Sequence, residues 1–507
     1  MRARALAMLA ALGGAAALPS WGCSFFLDFP DEAVACALTV DPDFLEVVWH
    51  GQSATSDPGA YTTITGLARG DGALYGVGFS GGQPSDLDTL PSFSSNVAWL
   101  FRLDDTSGIE LAGSINACTT VSGYTATGRI ALDGEVPFVT GYAPVDAAGS
   151  ATYGFDDGEL VCGEGLSVEM QGSQPNSYVA WAADFPGDGK QHAVASQTGY
   201  AGGLDVAVHG SDVAMLGVAR SDVFGQSHAG GPLSYFVVKL AKDTLQPGKA
   251  QFLKVDTDTT HFEGLYELHG AVEIDDEGAI WAAGMECSTD PCTTYGHAFV
   301  ERAAPSLSED VTTVAISNSD PSFAHAMTIS GGALFVGGAY AKSFEIGGVS
   351  PAATGSATDF DSFVANIDPT TKQATWVWPL DSIDQVSDYY DAVVDMVVVP
   401  DEGCGGSVYV LGCIVTKGDA SQDCMHEEPG KHAYVARLDL ASGTRLYFKE
   451  LSPDDTEAMM LLPTALAGDA SALFAAFDVR GTMTPWNFSS DAAGFHDTAV
   501  VKLGSTF

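Results

Sequence analysis

One short strand recurs along this chain, and it limits the possible folds more than any other feature. It reads Ala-Leu-Tyr-Gly-Val-Gly-Phe at 73–79, Val-Pro-Phe-Val-Thr-Gly-Tyr at 136–142 and Val-Ala-Met-Leu-Gly-Val-Ala at 213–219. It returns as Ala-Ile-Trp-Ala-Ala-Gly-Met at 279–285, Ala-Leu-Phe-Val-Gly-Gly-Ala at 333–339, Val-Tyr-Val-Leu-Gly-Cys-Ile at 408–414 and Ala-Leu-Phe-Ala-Ala-Phe-Asp at 472–478. A second strand follows each copy, clearest at 235–240, 362–368, 433–439 and 498–503 and weaker at 97–104, 177–184 and 297–303. Seven copies, about 55–75 residues apart, make this a repeat protein. Arg102, Lys239, Arg302, Arg437 and Lys502 hold one slot near the end of the second strand, which places five of the 21 basic residues in one register.

Each copy has room for four strands. An earlier strand ends in a hairpin turn such as Gly70-Asp71-Gly72 or Asp133-Gly134. A later one follows the basic slot, as at 375–378 and 446–449. Four short strands at this period predict an all-β, seven-bladed β-propeller. The last copy lacks its outer strand, and an orphan strand, Phe44–Trp49, precedes the first. That strand is expected to complete the last blade as a latch, since closure removes exposed edges. The expected domains are a signal peptide at 1–22, a tether at 23–42 and the propeller at 43–507. An open β-solenoid is the other fold considered, but its rungs would be shorter and more regular.

Two motifs resemble known repeats. Asp361-Ser-Phe-Val-Ala-Asn-Ile-Asp368, after its Gly-rich strand and loop, resembles the bacterial β-propeller repeat of the SBBP type. Such repeats are common in exported lipoproteins of myxobacteria and their relatives. The resemblance implies a propeller at the cell surface and no catalytic residues. Asp439-Leu-Ala-Ser-Gly-Thr-Arg-Leu-Tyr447 and Asp104-Asp-Thr-Ser-Gly108 are similar, more faintly, to the third-to-fourth strand turn of quinoprotein-type propellers. Most copies lack the blade-docking Trp of those repeats, so no quinone cofactor is expected.

The first residues read as an address. Met1-Arg2-Ala3-Arg4 is basic, and Ala5–Leu18 is an apolar stretch too short to span a bilayer. Pro19-Ser20-Trp21-Gly22-Cys23 resembles a bacterial lipoprotein signal, which implies lipid attachment at Cys23 and anchorage to the envelope, the outer membrane by preference. Ordinary cleavage after Ala15-Ala16-Ala17 is the alternative. The remaining eight cysteines suit an oxidising compartment. The expected topology suggests Cys36–Cys404, Cys118–Cys162, Cys287–Cys292 and Cys413–Cys424 as disulfides.

With 21 basic and 65 acidic residues the net charge is −44, which excludes a phosphate-tracking nucleic-acid binder and docking on anionic lipid. Membrane contact is therefore expected through the lipid anchor alone. The turns between first and second strands are tight. The connections at about 80–96, 143–176, 220–233, 286–296, 341–360, 415–431 and 479–496 are long and fall at the other end. Long loops on a rigid scaffold are where binding usually resides. Tyr295, Asp359, Asp361, Asp388, Tyr389, Tyr390 and Trp486 are therefore the candidate ligand-face residues, for a protein or glycan partner.

Other motifs have competing structural readings. The acidic clusters Asp359/Asp361, Asp256/Asp258 and Asp381/Asp384/Asp388/Asp391/Asp395 read as solvated surface, with calcium as the ion they could take. No other cofactor is expected. Cys413, Cys424, His426 and His432 have the donor types of a zinc site, but an oxidising compartment favours the disulfide. The glycines at 76–82 match dinucleotide and nucleophile-elbow patterns, yet no helix follows them. Asp276-Glu-Gly278-Ala-Ile-Trp281 partly matches the Asp box of sialidase-type propellers. The expected function is a surface binding or interaction module. A propeller-fold glycosidase or lyase, or a structural envelope protein, remains open.

Overall fold

The computed structural model describes residues 47–53, 61–81, 97–105, 110–119, 126–143, 151–156, 168–170, 176–182, 191–195, 201–228, 233–257, 270–286, 296–308, 310–317, 320–351, 360–380, 390–400, 405–415, 424, 431–451, 460–483, 488–489 and 497–503. The described elements are all strands. After β1 (Val47–Ser53), strands β2 (Tyr61–Arg69), β3 (Ala73–Gly81), β4 (Val97–Asp104) and β5 (Glu110–Thr119) pair in order. Next come β6 (Ala126–Asp133), β7 (Val136–Ala143), the hairpin strands β8 (Ala151–Asp156) and β9 (Val168–Met170), β10 (Asn176–Ala182) and β11 (Gln191–Ala195). Of these, β6, β7, β10 and β11 form one sheet. So do β12 (Ala201–His209), β13 (Asp212–Ala219), β14 (Leu233–Ala241) and β15 (Pro247–Thr257). The same order recurs in β16 (Ala271–Ile274), β17 (Ile280–Glu286), β18 (His297–Ala303) and β19 (Thr312–Thr313).

Beyond the short β20 (Ile316–Ser317), β21 (Ser322–Ser330) pairs β22 (Ala333–Ala341). After β23 (Glu345–Ile346), which pairs β20, strands β24 (Phe360–Ile367) and β25 (Ala374–Pro379) complete that set. Strands β26 (Tyr390–Val399), β27 (Ser407–Val415), β28 (Lys431–Asp439) and β29 (Arg445–Leu451) form another. The last set has β30 (Met460–Gly468), β31 (Leu473–Arg480), the small hairpin β32 (Thr482–Met483) and β33 (Phe488–Ser489), and β34 (Asp497–Leu503). Strand β1 pairs antiparallel with β34, so His50 faces Val501 and Ser53 faces Thr498. The first strands of the sets stand side by side in the order β2, β6, β12, β16, β21, β26, β30, and β30 in turn neighbours β2.

Core packing explains why the second strands read as continuous apolar runs rather than alternating ones. Both faces of each are covered by neighbouring sets. Trp281 and Ala283 pack with Val336, Tyr340 and Phe363 of the following set. Phe474 and Val500 of the last set pack with Leu67, Leu74 and Phe101 of the first. The recurring glycine and aromatic residue are one feature. Gly76, Gly141, Gly217, Gly284, Gly338 and Gly412 sit directly across from Phe101, Tyr178, Phe236, Phe299, Phe363 and Tyr434. At Gly76 and Gly412 a side-chain carbon would meet the opposing ring at 2.1 Å.

Two sequence expectations change here. Residues 143–176 include strands β8 and β9, and β8 pairs with the outer strand of the first set, Cys118 facing Gly154. The physical gain is cover for an open strand edge. The latch strand expected at 44–49 is described from Val47 and runs to Ser53; residues 44–46 lie outside the described residues.

Candidate functional site

The basic register has a structural use at the tight-turn end. Arg102 lies over the Tyr75 ring at 5.5 Å, Arg302 over Trp281 at 5.8 Å, Arg437 over Tyr409 at 5.7 Å and Lys502 over Phe474 at 5.6 Å. Each is the direct cross-strand neighbour of its ring, the geometry in which cation and π-face attract. Lys239 faces Ala214, which has no ring, and pairs with Asp212 at 2.6 Å instead. Several of these cations tie one set to the next. Arg102 reaches Glu135 at 3.3 Å, and Lys239 donates to the Gly278 carbonyl at 3.4 Å. Lys502 donates to the Asp105 carbonyl at 2.5 Å, and Arg69 pairs with Asp105 at 2.5 Å and with Asp469.

The turn resembling an Asp box is organised by Asp275, one residue earlier than the motif suggests. Its carboxylate accepts from the Ala279 N–H at 2.8 Å, Trp281 Nε1 at 3.0 Å and the Arg302 guanidinium at 3.2 Å. These bonds fold a turn.

A second polar cluster lies on the first strands of the sets. Most of these strands carry a β-bulge, between Thr127 and Ile130 on β6, Gly203 and Asp205 on β12, and Val393 and Asp395 on β26. A bulge re-aims the side chains beside it. Asp205 Oδ1 accepts the Val206 N–H at 2.8 Å and Oδ2 accepts the Val272 N–H of β16 at 2.7 Å. Asp395 does the same, accepting the Met396 N–H at 2.9 Å and the Leu466 N–H of β30 at 2.8 Å. Glu273 stands on β16 opposite Trp281, with the Ile274 N–H and the Thr328 hydroxyl of β21 both pulling its pKa down. Arg129 on β6 donates to Asp395 at 2.9 Å and to the Val394 carbonyl at 3.3 Å, joining two strands that are not neighbours in the side-by-side order.

Asp205 and Glu273 are half-buried on first strands flanked by neighbouring sets. Burial pushes Asp205 up to about 6, against the pull of Arg129 and two N–H groups. Burial, and then the Asp205 charge, push Glu273 up to about 8. Sequence reasoning did not single out Arg129, Asp205, Glu273 or Thr328 and placed Asp395 in a solvated run. The available signal was a carboxylate inside an apolar strand, as in Leu204-Asp205-Val206 and Val272-Glu273-Ile274.

The expected ligand-face residues divide. Tyr295, Asp359, Asp388, Tyr389 and Trp486 lie outside the described residues, as do Cys23, Cys36, Cys162, Cys287, Cys292 and Cys404. Asp361 and Tyr390 are each only 5% exposed, and Tyr390 stacks on Phe323 and Phe360. Neither presents its side chain to solvent. Of the acidic runs, Asp391 is likewise buried on β26. Cys413 and Cys424 are disulfide-bonded, which removes both thiolates from a zinc site, and His432 is hydrogen-bonded to Glu450 at 2.6 Å. Among the described residues no three His, Cys, Asp or Glu side chains converge as a metal ligand set. Cys413→Ser is expected to cost about 2 kcal/mol by freeing the loop it closes, read as a lower unfolding midpoint under oxidising conditions.

Neither a protein family nor a curated protein matches this chain. Solved structures that resemble it include the Neurospora crassa Pan2 WD40 domain, at 7% identity and TM-score 0.41 over 92% of this chain and 99% of that one. The Dos1 propeller matches at 9% identity and TM-score 0.38 over 92% and 96%. The β-propeller domain of the trilobed protease from Pyrococcus furiosus matches at 8% and 0.41 over 82% and 92%. The chain is an all-β protein whose structural neighbours are β-propellers. These likenesses concern architecture and say nothing of activity.

Proposed function

We propose that this chain is an exported, lipid-anchored, seven-bladed β-propeller of SBBP-like type that serves as a binding or interaction module at the cell envelope. The pairing of β1 with β34, and the neighbouring of β30 and β2, support a ring closed by a latch. The signal-like residues 1–22 and Cys23 support export and anchorage. One observation carries the functional reading. At the tight-turn end, cations and carboxylates are spent on cross-ties between sets, and the inner-strand acids hold backbone N–H groups. Variable recognition is left to the opposite end, where second strands finish and third strands begin.

A carbohydrate-active enzyme is the second reading. Asp205 and Glu273, adjoining carboxyls with unequal raised pKa values, favour it. Thermal unfolding of the purified protein with EDTA, with calcium and with an oligosaccharide panel separates the two. A module raises its midpoint with one ligand class by mass action and converts nothing. Product formation that Glu273→Gln abolishes establishes the enzyme. A flat response throughout directs the search to a protein partner.

A further inference from the structure

The first and last sets meet at one seam, and β1 crosses it to reach β34. Its hold there is slight. It lies at the outer end of its sheet, with β34 as its one paired strand among those described. Its register shifts between Val47 and Trp49, and Gly51 stands inside it. A glycine weakens a strand interior, and an edge strand uses only one side of its backbone for pairing.

The seam has fastenings of its own that do not involve β1. Thr63 on β2 donates to Asp478 on β31 at 2.7 Å, and both residues are buried. Arg69 is held by Asp105 of its own set at 2.5 Å, reaches Asp469 of the last set and lies over the Phe474 ring at 5.5 Å. From the last set, Lys502 donates to the Asp105 carbonyl at 2.5 Å. Ile64, Leu67 and Leu74 pack against Ala465, Phe474 and Val500 across the same seam. Farther in, Arg129 on β6 pairs with Asp395 on β26 at 2.9 Å. The inner strands run β26, β30, β2, β6, so this pair spans the seam from the sets on either side. Buried apolar area and buried hydrogen bonds together outweigh one edge ladder.

For the closed ring proposed above, we infer that β1 is a releasable strap, which peels from β34 while the seam between the first and last sets stays shut. Its opening is a local event that costs far less than opening the ring. Peeling lengthens the N-terminal lead. The chain then enters the ring at Tyr61, and residues 47–60 add as much as about 45 Å of extended chain before it. On the lipid-anchored reading, that length is extra reach from the membrane.

The test is native-state hydrogen exchange of the purified full chain, read by mass spectrometry. In wild type the β1 amides bonded to β34 should exchange about 100-fold faster, or more, than those of β2, β30 and β31. Equal protection in β1, β2 and β30 overturns the inference, because strap and seam then open as one. Two variants separate the parts. Successive N–H groups of a strand point to opposite sides, so His50→Pro with Gly51→Pro removes a donor to β34 whichever residue supplies it. Protection in β1 should vanish, while β2 and β30 stay within about threefold of wild type. A larger rise in β2 and β30 overturns the inference. Arg69→Met should instead speed β2 and β30 by about tenfold or more and leave β1 at its wild-type rate. A seam that Arg69→Met leaves unchanged overturns it as well. The wild-type comparison needs no variant to fold. It needs no lipid either, so the strap is judged by exchange and the anchored reading by lipid attachment at Cys23.

Discussion

Gly412→Val should cost about 3 kcal/mol or more and lower the unfolding midpoint by many degrees. A side-chain carbon at Gly412 would lie 2.1 Å from Tyr434 Cζ and 2.3 Å from its hydroxyl. The ring has nowhere to go. Tyr434 is fully buried, donates to Ser362 Oγ at 2.7 Å and stacks on Phe448 at 5.4 Å. Moving it would break a buried hydrogen bond to the preceding set as well as a contact within its own. The check is a double-mutant cycle with Tyr434→Ala, read from denaturant melts. Removing the ring makes room for the valine, so the double variant should be more stable than the two single costs predict, by about 1–3 kcal/mol. Simple additivity would mean that the ring does not lie on the glycine.

This glycine also shows what was legible in the sequence and why. The repeat could be read because one contact recurs in set after set. A glycine accepts an aromatic ring from the next strand, and three residues beyond that ring, as at Tyr434 and Arg437 or Phe299 and Arg302, a cation lies over the second strand's own aromatic. Period and register thus translate into cross-strand geometry, and the strands follow. The hairpin of β8 and β9 was not legible, because its pairing with β5 is not part of the repeated sequence pattern. Asp361 and Tyr390 were misjudged as solvent-facing for a related reason. Both stand at the starts of strands, where a loop residue and a core residue look alike in sequence, and packing against neighbouring sets buries them. The inner-strand cluster was hidden differently. Arg129, Asp205, Glu273 and Asp395 are each visible as a charge in an apolar strand, but they lie far apart along the chain. Only the side-by-side order of the first strands brings them into one space.

That shared space makes Arg129→Ala the other large effect. Arg129 and Asp395 retain only 20% and 18% of their side-chain exposure, and their 2.9 Å contact joins β6 to β26. Removing the guanidinium leaves Asp395 charged and partly buried and also deletes the bond to the Val394 carbonyl. Losing one partner of such a pair is worse than losing both, so a cost of about 3 kcal/mol is expected. Asp395→Asn in the same chain should recover part of it, because the stranded charge is gone while the amide oxygen can still accept the Met396 and Leu466 N–H groups. Lysine at 129 should recover less than its charge suggests, since it lacks the planar fork that reaches two acceptors. The pH dependence gives a separate signature. Arg129 holds Asp205 down, so its loss moves Asp205 above its native value of about 6. Because that value already exceeds the ordinary 3.8, the stability lost on raising the pH must extend further into the alkaline range in Arg129→Ala than in wild type. A variant that is destabilised but keeps the wild-type pH profile would show a strut without electrostatic reach to Asp205. One that is unaffected in both would show that the guanidinium does not bridge the inner strands at all.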